Sequence, residues 1–381
     1  MKRFFCLLVA GWMLLSCAMA EESTLDAGMA KAFKQLKTTG ATVYVAKNGN
    51  IVYEYHYGYA DKKTGERVSE DTYFRLASVT KLVAGIHVMQ LVEDGLLDLD
   101  TSIGDYLGYE VKNLHYPNVP VTLRHLMSHT SSLSPYGGYS VSKRPLQQIL
   151  DASLKRKGNW YKYAPGSKYD YSNFGAGVMG SLVECVTGKN INDSITETLF
   201  EPLGIDAALH PSLVSEPEKI AAQYNASGST TKSRQRALDS DWDANVNPDM
   251  HFRITVGSAW MRGRDLCRLG IMMAQTGYLE GQRVLKHTTV QEMMADQKGH
   301  GHVTVSSPYG LCVNRVTNLL KDRMIYGHQG LSEGVLCNLY WDPQTQFVFV
   351  LISNGCNTNM NDRIGILSRR TFQLAWEEFG E

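Results

Sequence analysis

Strand-forming segments gather at the two ends of this chain and leave a long middle with almost none, an order that restricts the fold more than any single motif. Near the start, Thr42-Val43-Tyr44-Val45 and Ile51-Val52-Tyr53-Glu54-Tyr55 flank Asn48-Gly49, and Asn-Gly supplies the positive φ angles of a tight hairpin turn. Strand signals return at Tyr309 to Val316, Met324 to Tyr326, Val335 to Tyr340 and Gln346 to Ile352, the last two joined at Asp342-Pro343. Residues 361 to 379 read as a terminal helix, and the stretch from about 100 to 250 carries helical patterns broken by Gly and Pro. At 381 residues the chain exceeds the size at which one core keeps growing. The expected fold is α/β of the α+β kind: an antiparallel sheet built from both chain ends, helices packed on it, and an inserted mainly helical domain. The expected boundaries are a signal peptide at 1–20, a sheet domain at 21–100 and 255–381, and the helical domain at 101–254.

Lys2 and Arg3 precede an apolar run from Phe4 to Leu15, and Ala18-Met19-Ala20 supplies the small-x-small pattern of a signal peptidase site. A bilayer span needs about 20 residues, so this run is too short for one. The protein is expected to be exported, periplasmic or secreted. Leu14-Leu15-Ser16-Cys17 also matches a lipoprotein processing box, in which Cys17 would bear a lipid anchor. The 38 basic and 38 acidic residues balance, and loss of Lys2 and Arg3 leaves 36 against 38. No electrostatic footprint for nucleic acid remains, and a small partner that is not polyanionic is expected. Of seven cysteines, five lie beyond the leader, an odd number at irregular spacing that makes neither a disulfide framework nor a zinc signature. Cys312 and Cys337 fall in neighbouring strand-like segments and could pair, although buried thiols are the expected state.

Three short patterns carry chemistry. Ser-x-x-Lys occurs at Ser78-Lys81, Ser140-Lys143 and Ser229-Lys232. Its chemistry needs a hydroxyl in the first turn of a rigid helix and an amine one turn on, along the same face. From Ser78 to Asp94 the apolar residues Val79, Leu82, Val83, Ile86, Met89 and Val92 recur at helical spacing, with Ala84, Val88 and Leu91 leaving little polar face. Only Ser78 meets the requirement, though locally an N-cap Ser and a surface Lys would read the same. Tyr-x-Asn occurs at Tyr116-Asn118, in a proline turn, and at Tyr171-Asn173, just before a glycine-rich helix from Gly175 to Val186. Residues two apart in an extended segment face one way, so Tyr171 and Asn173 can share a cavity. His-x-Gly occurs at His56-Gly58 and His328-Gly330. In the second, Gly330 leaves room for a substrate against the strand, and the Leu331 amide joins that of Ser78 as a candidate oxyanion donor.

Two competing readings are weaker. Gly330-Leu331-Ser332-Glu333-Gly334 matches a nucleophile elbow, but strand rather than helix follows and no His lies downstream of His328. His125 and His129 are one helical turn apart, yet the Glu that zinc proteases carry after the first His is Leu126 here, and His300-Gly301-His302 is isolated.

Taken in order, Phe74-Arg75-Leu76-Ala77-Ser78-Val79-Thr80-Lys81, His125 through His129-Thr130-Ser131-Ser132-Leu133, Pro165-Gly166 through Tyr171-Ser172-Asn173 to Thr187-Gly188, Glu201-Pro202-Leu203-Gly204-Ile205 and Gly327-His328-Gln329-Gly330 resemble the serine β-lactamase and penicillin-binding-protein superfamily, in its class C β-lactamase-like branch. The resemblance covers roughly residues 35 to 356. It implies acylation of Ser78 by an amide, ester or lactam, with Lys81 assisting deprotonation and Tyr171 relaying protons. Asn173 would hold Lys81 and the substrate, His328 and Gly330 would line the substrate strand, and the Ser78 and Leu331 amides would form the oxyanion hole. No metal or organic cofactor is implied. Two departures stand out. His328 replaces the Lys of most β-lactamases, which implies weaker or pH-dependent carboxylate recognition and leaves open whether Lys81 or Tyr171 is the principal base. Ser132 replaces a usual Gly. The expected activity is an exported serine hydrolase of D-amino-acid peptides or esters, with β-lactams as a side substrate. A true class C-like β-lactamase and a non-catalytic cell-envelope binding protein are the alternatives.

Overall fold

A computed structural model describes residues 23–137 and 144–381. The leader with Cys17, and the Ser140-Lys143 pattern, lie outside the described residues. Ser23 caps the first helix, α1 (Thr24–Gln35), its hydroxyl accepting from the Asp26 amide at 3.0 Å. Next come strands β1 (Gly40–Lys47), β2 (Asn50–Asp61) and β3 (Glu66–Arg67), then helices α2 (Thr80–Glu93), α3 (Asn173–Thr187) and α4 (Gly263–Ala274). Strands β4 (Asn314–Val316), β5 (Ile325–Ser332), β6 (Val335–Asp342) and β7 (Phe347–Ser353) and helix α5 (Ile366–Phe379) complete the principal elements. The seven strands form one sheet in the order β4-β5-β6-β7-β1-β2-β3, every pair antiparallel. The two chain ends meet where β1 pairs with β7, from Ala41 opposite Ser353 to Lys47 opposite Phe347.

Strand alternation explains how that sheet is covered. Val43 and Val45 point into an apolar cluster with Phe33 and Phe372, whereas Tyr44 and Ala46 join a second cluster with Leu266 and Met273. Helices α1 and α5 therefore lie on one face and α4 on the other, which is why β1, β6 and β7 are buried along nearly their whole length. The second cluster continues through Leu82, Leu126, Phe174 and Leu199, so the mainly helical middle packs onto the sheet through a shared apolar core.

Several elements differ in extent from the sequence expectation. The hairpin turns at Asn48 and Gly49, with φ of 51° and 81°. The expected helix from Ser78 begins instead with a tight 3₁₀ turn at Ala77–Val79 and becomes α2 only at Thr80. The Tyr309 to Val316 signal yields only β4, because the chain bends at Cys312 with φ of 58°. Met324 to Tyr326, by contrast, is the head of a strand that runs on through His328 and Gly330.

Candidate active site

The segment Tyr73–Arg75 pairs with Trp260–Arg262, and the Leu76 amide donates to Ala259 O at 2.8 Å. Ala77 then takes φ of 45°, a left-handed conformation costly for a residue with a Cβ. That sharp turn leaves Ser78 partly exposed while Ala77 and Val79 on either side are buried. Its amide lies in the first turn of a helical run, where N–H groups have no intrahelical acceptor. One turn on, Lys81 is fully buried in a helix whose residues are buried at 11 of 14 positions. Its Nζ donates to Val256 O at 2.6 Å and to Ser78 Oγ at 3.1 Å. Burial pulls the Lys81 pKa down to about 7, against a weaker upward pull from Cys312.

Tyr171 precedes α3, which is capped by Ser172: the Ser172 Oγ accepts from the Gly175 amide at 3.0 Å, while the Ser172 amide donates to His129 Nδ1 at 3.2 Å. This anchoring sets the Tyr171 ring 4.2 Å from the His129 ring, with Lys81 Nζ 5.3 Å from the phenol centroid. Tyr171 is 41% exposed and so reaches solvent as well as the amine. Asn173 opens α3 and is exposed. Among the described residues the bonds of Lys81 Nζ are those to Ser78 Oγ and to Val256 O, the latter supplied by the short helix Ile254–Gly257, and the expected bond to Asn173 is not among them.

Strand β5 packs against the Ser78 turn. A Cβ added to Gly330 would stand 2.8 Å from the Ser78 amide nitrogen and would also strike Leu76 O, so only a glycine permits this approach. Leu331 follows at the exposed end of the strand. His328 is 1% exposed. Its Nδ1 donates to Gln329 O at 2.8 Å, which leaves Nε2 to accept from the Tyr309 hydroxyl at 2.7 Å. Burial first, and the Lys81 charge second, push its pKa down to about 3. The imidazole is thus neutral at physiological pH, and of the two expectations, weaker or pH-dependent carboxylate recognition, this favours the weaker. It forms part of the floor of a cavity of about 800 Å³ whose walls include Tyr169, Tyr171, Arg315 and Gln329.

A family model described as Beta-lactamase matches residues 22–370. The chain belongs to the Beta-lactamase family. It is 35% identical over 214 residues to Esterase EstB of Burkholderia gladioli, a match covering 53% of this chain and 54% of that protein. The chain thus spans about half the length of this curated relative. Among solved structures, EstCE1, described as a hydrolase with promiscuous acyltransferase activity, has a TM-score of 0.71 at 18% identity, the match covering 92% of this chain and 97% of that one. A class C beta-lactamase has a TM-score of 0.68 at 18% identity, covering 94% and 97%. At such identities the likeness is one of fold.

Within this Beta-lactamase family member, the unusual Ser132 has φ of 59°, a left-handed position that a glycine takes without strain. Its hydroxyl accepts from Asn113 Nδ2 at 2.9 Å, a buried bond that offsets the cost. The remaining sequence candidates lie elsewhere. Ser332 ends β5, accepts from Arg75 Nη1 at 3.3 Å and is followed by a turn and β6, not by the helix of a nucleophile elbow. Ser229-Lys232 runs into the short strand Thr230–Lys232. His125 Nδ1 accepts from the Thr122 amide at 3.2 Å and His129 Nδ1 from that of Ser172, so the two imidazoles serve different backbone groups. Cys312 and Cys337 are free thiols, as are Cys185, Cys267 and Cys356. Sequence reasoning missed Tyr309, Val256 and the packing role of His129. A backbone carbonyl leaves no sequence signal, and Tyr309 lies inside what reads as an ordinary strand.

Proposed function

We propose that this protein is a serine hydrolase that turns over small esters through a covalent acyl-enzyme. The observation that carries this reading is the Ser78–Lys81 pair, in which a dry, depressed-pKa amine lies 3.1 Å from a partly exposed hydroxyl. In its neutral form Lys81 accepts the Ser78 proton as Oγ attacks the carbonyl carbon, while Val256 O keeps the amine oriented. The Ser78 and Leu331 amides receive the developing oxyanion, a role in which one donor typically contributes about 2.7–4 kcal/mol. Tyr171, beside the amine and open to solvent, passes the proton to the leaving group and later takes one from water. Asn173 and Gly330 border the substrate, and His328 braces the wall from beneath. No cofactor is required for these steps. The name of the EstB relative favours esters over D-amino-acid peptides and β-lactams. Export through the 1–20 leader, with or without a lipid on Cys17, belongs to the same proposal and rests on the leader's residue pattern.

Fluorophosphonate and fluorescent-penicillin probes test the chemistry. Ser78→Ala should abolish labelling; a native protein that takes no label, or a variant that still does, removes the proposal. Turnover of a nitrophenyl ester, a D-alanyl peptide and a cephalosporin then ranks the substrates, with the ester expected first. Amino-terminal sequencing of the mature protein checks the leader.

A further inference from the structure

A second cavity, of about 530 Å³, has among its walls Arg75, Lys232, Trp242, Ser258 and Trp260. Its lining reaches the nucleophile's surroundings through Arg75, Ile254 and Ser258, and Tyr171 lines the 800 Å³ cavity and not this one. Arg75 is three residues before Ser78 and opposite Trp260 in register. Ser258 follows Val256 and Gly257, of which the first holds Lys81 and the second lies against Ala77. Arg75 is fixed by donating from Nε to Gly257 O at 2.9 Å and from Nη1 to Ser332 Oγ. Its remaining N–H groups are uncommitted among the described residues. Lys232 is half-buried, and among the described residues its ammonium has neither a hydrogen bond nor an ion pair. The two cations repel one another through a partly dry space, and Arg236 adds to that repulsion on Lys232. Among the described residues neither cation makes an ion pair with the acidic groups nearby. Glu333 attracts both from beyond ion-pair distance. Asp241 and Asp243 share the lining; the Asp243 carboxylate accepts from Asn245 and Asn247 at 2.9 Å each and lies 3.7 Å from His251 Nε2, and Asp241 is exposed.

We propose that this cavity receives an acyl chain ending in a carboxylate, which Arg75 and Lys232 hold between them while Trp242 and Trp260 cover the methylenes. The proposal rests on the hydrolase reading, in which Tyr171 marks the 800 Å³ cavity as the leaving-group side and so assigns this one to the acyl group. Two unpaired cations kept partly desolvated are costly for the empty protein, and an anion that pairs with both recovers that cost. A volume of about 530 Å³ suits a chain of a few carbons.

The experiment compares 4-nitrophenyl hydrogen glutarate with 4-nitrophenyl pentanoate, which match in chain length and leaving group and differ in the terminal charge. The native enzyme should favour the glutarate about tenfold or more in kcat/KM, and the preference should shrink in high salt. Lys232→Met should lower glutarate turnover about tenfold while leaving pentanoate within about twofold, and Lys232→Glu should reverse the preference. Equal native rates on the two esters overturn the proposal, as does an equal loss on both in Lys232→Met; unchanged melting of that variant excludes misfolding as the cause. Ser78-dependent turnover without charge preference defeats this inference alone. Absence of turnover of either ester defeats it together with the hydrolase reading.

Discussion

Lys81 and Lys232 both end a Ser-x-x-Lys pattern, yet the fold assigns them opposite environments. Lys81 is fully buried on a helix that is buried at 11 of its 14 positions, held by one carbonyl, with its pKa drawn down to about 7. Lys232 is half-buried on a short strand of a polar loop, beside Arg75. Desolvation turns the first into an amine able to take a proton, whereas partial access to water lets the second serve as a cation that holds an anion. In the proposed reaction the same four-residue spacing supports a base on one wall and a recognition group on the other. Burial decides which.

The strongest attack on this comparison is to replace the dry amine. Lys81→Met should reduce acylation of Ser78 on the order of 10³-fold in stopped-flow assays with a nitrophenyl ester. Lys81→Arg should fare no better, because a guanidinium does not deprotonate at working pH; rescue by Arg would mean that charge, not basicity, is what the position supplies.

Next in size is the pH dependence. A base with a pKa of about 7 must be neutral to act, so kcat/KM for an uncharged ester should rise about tenfold per unit from pH 5 to 7 and level off above. His328, at about 3, contributes no limb in that window. Lys232→Met should leave the midpoint unmoved, and a midpoint that shifts with Lys232 would erase the division of labour. Stability has a related sign. Lys81 binds fewer protons folded than unfolded between about pH 7 and its ordinary value, so native stability relative to Lys81→Met should grow as pH rises through that range, as thermal melts at several pH values will show.

Gly330→Ala tests the strand between the two walls. The added Cβ meets the Ser78 amide and Leu76 O, so activity should fall about tenfold or more and stability by about 1–3 kcal/mol in denaturant titrations. The smallest effect separates the walls by stability alone. Tyr309→Phe leaves the buried His328 Nε2 without its donor and should cost about 1–3 kcal/mol, against less than about 0.5 kcal/mol for Lys232→Met.

Much of this arrangement was legible from residue order. A hairpin at one end, a meander at the other and helices between already require a sheet closed by both ends, and only one Ser-x-x-Lys lay where a rigid helix begins. The Asn48-Gly49 turn and the glycine of His328-Gln329-Gly330 were readable for the same reason: backbone conformation and steric room depend on local residue type. Illegible were the contacts made across long separations. Val256 reaches Lys81 from 175 residues away, Ser332 reaches Arg75 from 257, and Tyr309 meets His328 through the bend at Cys312.

The sequence by itself determined the sheet closed from both ends and the choice of Ser78 and Lys81 among three like patterns, because periodicity and turn chemistry are written in neighbouring residues, while the family and the candidate Tyr171 came from the resemblance of the motifs taken in order. Only the tertiary structure decided that Lys81 is dry and His328 neutral, that Val256 O holds the amine, and that a lysine from a rejected motif stands beside Arg75. Those properties depend on how much water each group has lost, and that is a consequence of which distant segments close over it.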